Sequence, residues 1–320
     1  MRFDVVGIDS PCVDLALNLD KFPGPNDSEK VQDYSWQGGG KVATGMIAAA
    51  RLGAKGAIIG QVGDDKYGRF CVDDFKSHHI DTAYLLERNG KTTNFDIVVS
   101  NKKTMERCIL YHPGNAEPMS VDELPLSYLK NTKYFYISRV DDITSYASKT
   151  AREGGAQVVI DADSFSEELN NFLGNIDVLI GSEFAYEGFF KGKGDLEENC
   201  SLLRQQGPKI VIFTFGEKGC VGLDDDGYFE LPSYLVKAVD TVGAGDVFHG
   251  AFIAGLLHGM NTRDSARFAS AVSAIKCTKI GGRAGIPDFD MTIKFMEKGK
   301  IDERGLEERV RYYQKRIENV

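Results

Sequence analysis

The sequence predicts an α/β fold: a doubly wound, mainly parallel sheet flanked by helices, with a small antiparallel β lid. Three observations carry this. Short β-branched runs alternate with amphipathic helical patterns along most of the 320 residues. Two regions, at about 14–36 and 90–116, break that alternation with strand patterns and no helix between them. Apolar residues make up 42% of the chain, enough for a well-buried core, yet no stretch is long and uncharged enough for a membrane helix.

Taken in order, "FDVVGI" (3–8) is a first buried strand, "KVATGMIAAARLG" (41–53) a helix, "AIIGQVG" (57–63) a strand and "YGRFCVDDFKSH" (67–78) a helix. In the second irregular region, "NKK" (101–103) reads as a turn between two strands. "QVVIDAD" (157–163), "DVLIGS" (177–182) and "KIVIFTFG" (209–216) then continue the strand–helix rhythm. Such alternation implies crossover connections, so a parallel sheet covered on both faces. Ligands of such sheets bind outside the carboxyl ends of the strands. The irregular regions fit a lid over that crevice or a dimer contact, and the two are compatible. No repeat or low-complexity linker divides the chain, so residues 1–320 are read as a single domain. The C-terminal "DERGLEERVRYYQKRIENV" reads as a charged amphipathic helix, a solvated cap on the sheet.

Lys plus Arg total 38 against 47 Asp plus Glu, a net charge of -9 spread along the chain, which argues against a nucleic-acid surface. Asp4 interrupts the first apolar run, so a signal peptide is not expected and the chain should remain in the cytoplasm. Six cysteines (Cys12, Cys71, Cys108, Cys200, Cys220, Cys277) show no metal-ligand spacing and are read as reduced, mostly small core residues. His78 and His79 are adjacent and point to different faces, and no third ligand is spaced to join them or His112, so a metal centre is not expected there.

Two glycine clusters remain. "VDTVGAGDVFHGAFIAGLL" (239–257) sets Gly243, Gly245 and Asp246 where an apolar run turns helical. A helix start exposes backbone N–H groups that favour an anion, and glycines let a phosphate approach. Asp246 reads equally as an N-cap or as a carboxylate that accepts the proton of an attacking hydroxyl. The stretch alone leaves both open. "WQGGGKVATGMIAAARLG" (36–53) formally contains the dinucleotide pattern at Gly38, Gly40 and Ala43, but "DYSWQ" before it is not the buried first strand that pattern needs.

Together, "GGGKVATGMIAAARLG" and "DTVGAGDVFHGAFIAGL", about 200 residues apart, resemble the two signatures of the PfkB/ribokinase family of carbohydrate kinases. "LNLDKFPGP", "GQVGDDKYG", "HPGNA", "TFGEKGC" and "GGRAGIP" sit where that family has comparable segments, so the resemblance spans nearly the whole chain. It implies a ribokinase-like fold and ATP- and Mg²⁺-dependent phosphorylation of a sugar hydroxyl. By the same resemblance, Asp246 is the catalytic base and Gly243, Ala244 and Gly245 form the anion hole. Asp14, Gly39, Gly40 and Lys41 line the sugar pocket, and Thr214, Gly216 and Gly219 form the nucleotide-binding turn. Segment 275–285 resembles the loop beside the adenine and, with Asp240, a monovalent-cation (K⁺) site of some members. The family's flap often clasps a second subunit, which implies a homodimer through the lid.

Departures are informative. Thr44 stands where the first signature usually has Asn. The family's magnesium-organising NxxE aligns with "SEFA", where Ser182 and Ala185 replace Asn and Glu, leaving Glu183 as the nearest carboxylate for Mg²⁺ through water. Within the family the chain looks most similar to bacterial sulfofructose kinases. That likeness implies that Lys30 and Arg139 bind an acidic group, with Tyr111 in place of an expected Asn. A keto-sugar or an anionic derivative such as 6-sulfofructose is the expected substrate. A nucleoside kinase of the same fold and a catalytically silent sugar-binding protein are the rival readings.

Overall fold

The computed structural model describes residues 3–316. The chain runs through β1 (Phe3–Asp9), β2 (Cys12–Leu19), β3 (Asp33–Gly39), α1 (Lys41–Arg51), β4 (Gly56–Gly63), α2 (Lys66–Ser77) and β5 (Asp81–Arg88). It continues with β6 (Asn94–Asn101), β7 (Arg107–His112), α3 (Leu126–Leu129), β8 (Thr132–Ile137), α4 (Asp142–Glu153), β9 (Gln157–Ala162) and α5 (Glu167–Phe172). β10 (Val178–Ser182), α6 (Glu183–Phe190), α7 (Leu196–Arg204), β11 (Ile210–Thr214), β12 (Cys220–Asp224) and β13 (Gly227–Leu231) follow. α8 (Ala244–Leu257), α9 (Thr262–Lys276), α10 (Phe289–Lys298) and α11 (Glu303–Arg316) close the chain.

Nine strands form one sheet in the order β13-β12-β11-β10-β9-β8-β1-β4-β5, parallel except for the β12 and β13 edge. Every central strand is buried on both faces, as β1 shows: Val5 points into the core beneath α1 and α8, while Phe3, Val6 and Ile8 point into the core beneath α4 and α7. Gly7 sits under α1, where a Cβ would come within 2.8 Å of Met46 Cγ, so its bare backbone lets the helix lie close to the sheet.

The second sheet has four strands in the order β3-β2-β6-β7. Its strands overlap the two irregular regions of the sequence, β2 starting two residues before and β3 ending three residues after the first, and residues 102–104 make the expected turn. β2·β3 and β6·β7 are antiparallel, while the central β2·β6 pair is parallel. Long-range pairing of this kind leaves no local sequence signal, because the two strands are about 80 residues apart and each looks like half of a hairpin.

The C-terminal helix forms as expected, but its role differs. α11 lies against β3 rather than capping the main sheet, and buries Leu306 and Tyr313. Tyr313 Oη donates to Asp74 Oδ1 at 3.0 Å, so an aromatic anchor in a charged segment decides the docking. Residues 317–320 of the expected helix lie outside the described residues. No helix among the described residues is long and apolar enough to cross a membrane.

α8 is apolar nearly all round and sits between α1 and α9. Its approach to α1 is set by glycine on both sides: a Cβ on Gly250 would lie 1.9 Å from Gly45 O, and one on Gly45 would lie 3.0 Å from Asp246 O. Gly250→Ala should therefore force the helices apart and lower stability by about 1–3 kcal/mol. Thermal unfolding beside a surface control such as Gly174→Ala, where the backbone is not left-handed and a Cβ meets only Gln206 O at 3.7 Å, checks this, and an unchanged midpoint would refute the close contact.

Candidate active site

Because the central strands are parallel, their carboxyl ends deliver side chains to one edge of the sheet. Asp9 ends β1, Arg139 follows β8, Asp161 and Asp163 close β9, Ser182 and Glu183 join β10 to α6, and Thr214 ends β11. The amino ends of α1 and α8 face the same edge, through Lys41 and Asp246 respectively.

The three glycines before α1 answer to three separate constraints. A Cβ on Gly38 would strike the Arg283 guanidinium at 1.9 Å, and one on Gly39 would strike Asp14 Oδ1 at 2.2 Å. Gly40 has φ +95°, and a Cβ there would meet Asp9 Oδ2 at 2.8 Å. Asp9 then accepts from Ala43 N at 2.8 Å and so holds the first turn of α1. Lys41, the first helical residue, pairs with Asp163 at 2.7 Å. Burial disfavours its charge, but the bond to Asp163 and the nearby Asp161 and Asp246 carboxylates together hold its pKa above the usual lysine value.

At the start of α8, Gly243 is left-handed (φ +73°), and a Cβ there would lie 2.9 Å from Gly282 Cα. A Cβ on Gly245, by contrast, would meet nothing within 4 Å, so this turn opens onto free space. Ala244 N donates to Thr241 O at 3.1 Å. Among the described residues the amides of Gly243, Gly245 and Asp246 have no protein acceptor. Of the two roles open to Asp246 in the sequence, geometry removes one: α8 has no side-chain cap, so Asp246 is not an N-cap. Desolvation pushes the Asp246 carboxyl well above the ordinary range, Asp161 adds to this, and Lys41 works against it.

Asp14 on β2 stands beside Asp96 on β6, with Cys12 Sγ donating to Asp14 Oδ1 at 3.3 Å. Burial, opposed by the Cys12 bond and aided by the Asp96 charge, raises the Asp14 pKa from 3.8 to about 6. Asp14, Gln37 and Asp96 are in register across three strands and so share one face of the lid.

The sequence model of the pfkB family of carbohydrate kinases matches residues 2–288. The chain belongs to that family. The 5-dehydro-2-deoxygluconokinase of Clostridium perfringens is 26% identical over 93% of this chain and 94% of its own length. The ribokinase of Haemophilus influenzae is 27% identical over 93% and 99%. The crystal structure of Thermotoga maritima ribokinase is 25% identical, covers 92% of this chain and all of its own, and superposes with a TM-score of 0.78.

Other expected site residues of this carbohydrate kinase are placed less simply. Thr214 ends β11 and bonds Gly181 O, and Gly216 (φ +58°) and Gly219 (φ +98°) shape the turn that follows. Arg139 follows the carboxyl end of β8, is exposed and pairs with Asp141 at 2.7 Å, and its charge works to lower the pKa of Asp9, against burial that raises it. Lys30 is exposed on the connection from β2 to β3, and among the described residues no bond ties it to the crevice. Thr44 accepts from buried Arg283 instead of facing a sugar. Ser182 Oγ caps α6 and donates to Asp163 O, and Glu183 pairs with Lys218 at 3.0 Å. Asp163 and Glu183 are partly exposed oxygen donors of the kind Mg²⁺ takes. Asp240 is not available as an open ligand: Val242 N, Gly281 N and Ser100 Oγ all donate to its carboxylate.

The sequence reading missed Asp9, Asp96, Asp161 and Asp163. The first, third and fourth had a usable signal, since "GID" and "VVIDAD" put acids at the carboxyl ends of buried strands. Asp96 had none, because its partner Asp14 lies on a distant strand.

The Asp14 shift has a definite sign. The folded chain keeps a proton up to about pH 6 that the unfolded chain sheds near 3.8, so stability is full below that lower value and falls as pH rises through 6. Asp14→Asn should leave the unfolding midpoint nearly unchanged at about pH 4 and stabilise the fold by on the order of 2 kcal/mol at about pH 8. Paired thermal melts at the two pH values check this; a variant no more stable than wild type at the higher pH would refute it.

Proposed function

We propose that this carbohydrate kinase transfers the γ-phosphoryl group of ATP, with Mg²⁺, to a primary hydroxyl of a keto-sugar or an anionic derivative of one. The observation that carries the reading is the Asp246 carboxylate, one residue from the open Gly245 turn and within the field of Lys41.

In the step this geometry supports, Asp246 takes the proton of the sugar hydroxyl as its oxygen attacks the γ-phosphorus. The new O–P bond forms as the bond between that phosphorus and the β,γ-bridging oxygen breaks, and ADP leaves with the electron pair. Amides of Gly243, Gly245 and Asp246 and the Lys41 ammonium stabilise charge on the migrating phosphoryl group. Burial and Asp161 raise the proton affinity of Asp246, which suits a general base. Asp14 and Asp96 accept sugar hydroxyls, and Thr214, Gly216 and Gly219 cradle the nucleotide. Asp163 and Glu183 would hold Mg²⁺ at this edge, and the ion would supply neutralisation of phosphate charge.

An acidic substrate group is read from Arg139, a guanidinium just past the carboxyl end of β8 that suits carboxylate, phosphate or sulfonate. The Clostridium perfringens relative is named for an oxo sugar acid, which fits the same class. Tyr111 is 76% exposed on β7 and Lys30 is exposed with no bond to the crevice among the described residues, so 6-sulfofructose is carried forward as one member of a panel. The nucleoside reading has less support: Tyr67 and Phe95 stack on each other at 5.0 Å, leaving no slot for a base, and Phe95 lies on the lid face away from Asp96. β7 exposes Ile109, Leu110 and Tyr111 in a row, which supports a homodimer through the lid. Six free cysteines suit a reducing cytoplasm.

Asp246→Asn should lower kcat by about 10²–10⁴-fold while ATP binding, measured by calorimetry, survives. Equal turnover by both forms would overturn the mechanism. An ATP-turnover panel of fructose, 6-phospho- and 6-sulfofructose, oxo-aldonates and nucleosides tests the substrate class. In that panel Arg139→Ala should raise KM about tenfold or more for anionic sugars alone, and equal losses on neutral sugars would remove Arg139 from acid binding.

A further inference from the structure

Lys276 is the last residue of α9 and its side chain is fully buried. Its ammonium donates to Asp240 O at 3.0 Å and also to Val242 O. Both carbonyls belong to the segment that leads directly into Gly243–Asp246. The same segment is fastened further, since Val242 N donates to the Asp240 carboxylate at 3.0 Å and Val239 N and Asp240 N donate to Cys277 O, next to Lys276, at 2.7 and 3.1 Å. Ser273 Oγ on α9 holds Ala244 O at 2.9 Å. The C-terminal turn of α9, where a cation is favoured by the helix dipole, thus grips the backbone of the anion loop at several successive points.

A monovalent cation such as K⁺ binds through carbonyl oxygens, and the resemblance to cation-dependent kinases leads to the expectation of one beside Asp240. The residues present do not fit that ion. Two carbonyls at this place are already taken by an ammonium, the Asp240 carboxylate accepts three protein donors, and a second cation next to a buried one would be repelled in a medium that screens poorly. We infer that Lys276 supplies the monovalent cation of this anion loop from within the chain, so that phosphoryl transfer needs no added K⁺. Lys276 is a positioning residue: it touches no reacting atom but orders the carbonyls of Asp240 and Val242, and with them the amides beyond.

The inference rests on the kinase reading, and the test separates the two. ADP binding by calorimetry and ATP turnover on the best sugar of the panel are measured with K⁺, NH₄⁺ or tetramethylammonium as the sole monovalent cation. Wild type should bind ADP and turn over equally in all three, within about twofold. Lys276→Ala, which vacates the space, should lose about tenfold or more in tetramethylammonium and recover several-fold in K⁺ or NH₄⁺. Lys276→Met, which fills the space without charge, should lose as much and not recover. A wild type that gains about tenfold from K⁺ overturns the inference even if neither variant folds, and so does a Lys276→Ala enzyme that is fully active in tetramethylammonium. A wild type that binds ADP but phosphorylates no acceptor counts against the kinase reading instead, while the cation dependence of ADP binding still decides this one.

Discussion

The close contact of α1 and α8 at Gly45 and Gly250 is the constraint on which the rest of the structure depends. Two helices from opposite ends of the chain each begin at the crevice, and each carries a group for the proposed chemistry, Lys41 on one and Asp246 on the other. Their spacing is fixed by backbone against backbone, with no flexible side chain between them. A packed interior resists sub-ångström change, so the separation of the two helix starts is held as firmly as the core itself. Gly7 extends the same logic downward, bringing α1 close to β1 and so to Asp9.

Around that frame, charge is concentrated and partly compensated. Asp9, Asp161 and Asp246 gather at the carboxyl ends of the strands, and the Asp9 and Asp246 carboxyls are both raised by burial. Lys41 answers part of this negative field. A cluster of acids short of cations costs stability. Burial raises the carboxyls of Asp14 and Asp246 alike, and such perturbed groups gather where protonation is tuned for chemistry.

The lid is tied to the 275–285 loop by buried polar bonds. Gln37 accepts from Arg283 N and Ala284 N and donates to Ile280 O; Arg283 in turn reaches Asp74, Gly39 O and Thr44. Arg283 and Asp74 are both fully enclosed, and leaving either unpaired would be costly. Ser100 on β6 also meets Asp240. One polar network therefore joins the lid strands, the first glycine cluster and the 275–285 loop, and α11 reaches it through Tyr313 and Asp74. Segments from the lid, the first glycine cluster and the 275–285 loop thus share a single set of hydrogen bonds.

The alternation of strands and helices, the two glycine clusters and the position of Asp246 were legible in the residues themselves, because period, turn chemistry and helix starts are local properties. The ends of buried strands were equally legible in principle, and Asp9, Asp161 and Asp163 were there to be read. What only the tertiary structure decided was everything that depends on distant segments meeting: the parallel β2·β6 pair that joins Asp14 to Asp96, the engagement of Thr44 by Arg283, the docking of α11 through Tyr313, and the ammonium of Lys276 on the carbonyls before Gly243. These are contacts between groups tens to hundreds of residues apart, and a lone lysine at a helix end or a lone glycine in a helix looks the same in sequence whether it faces water or another backbone.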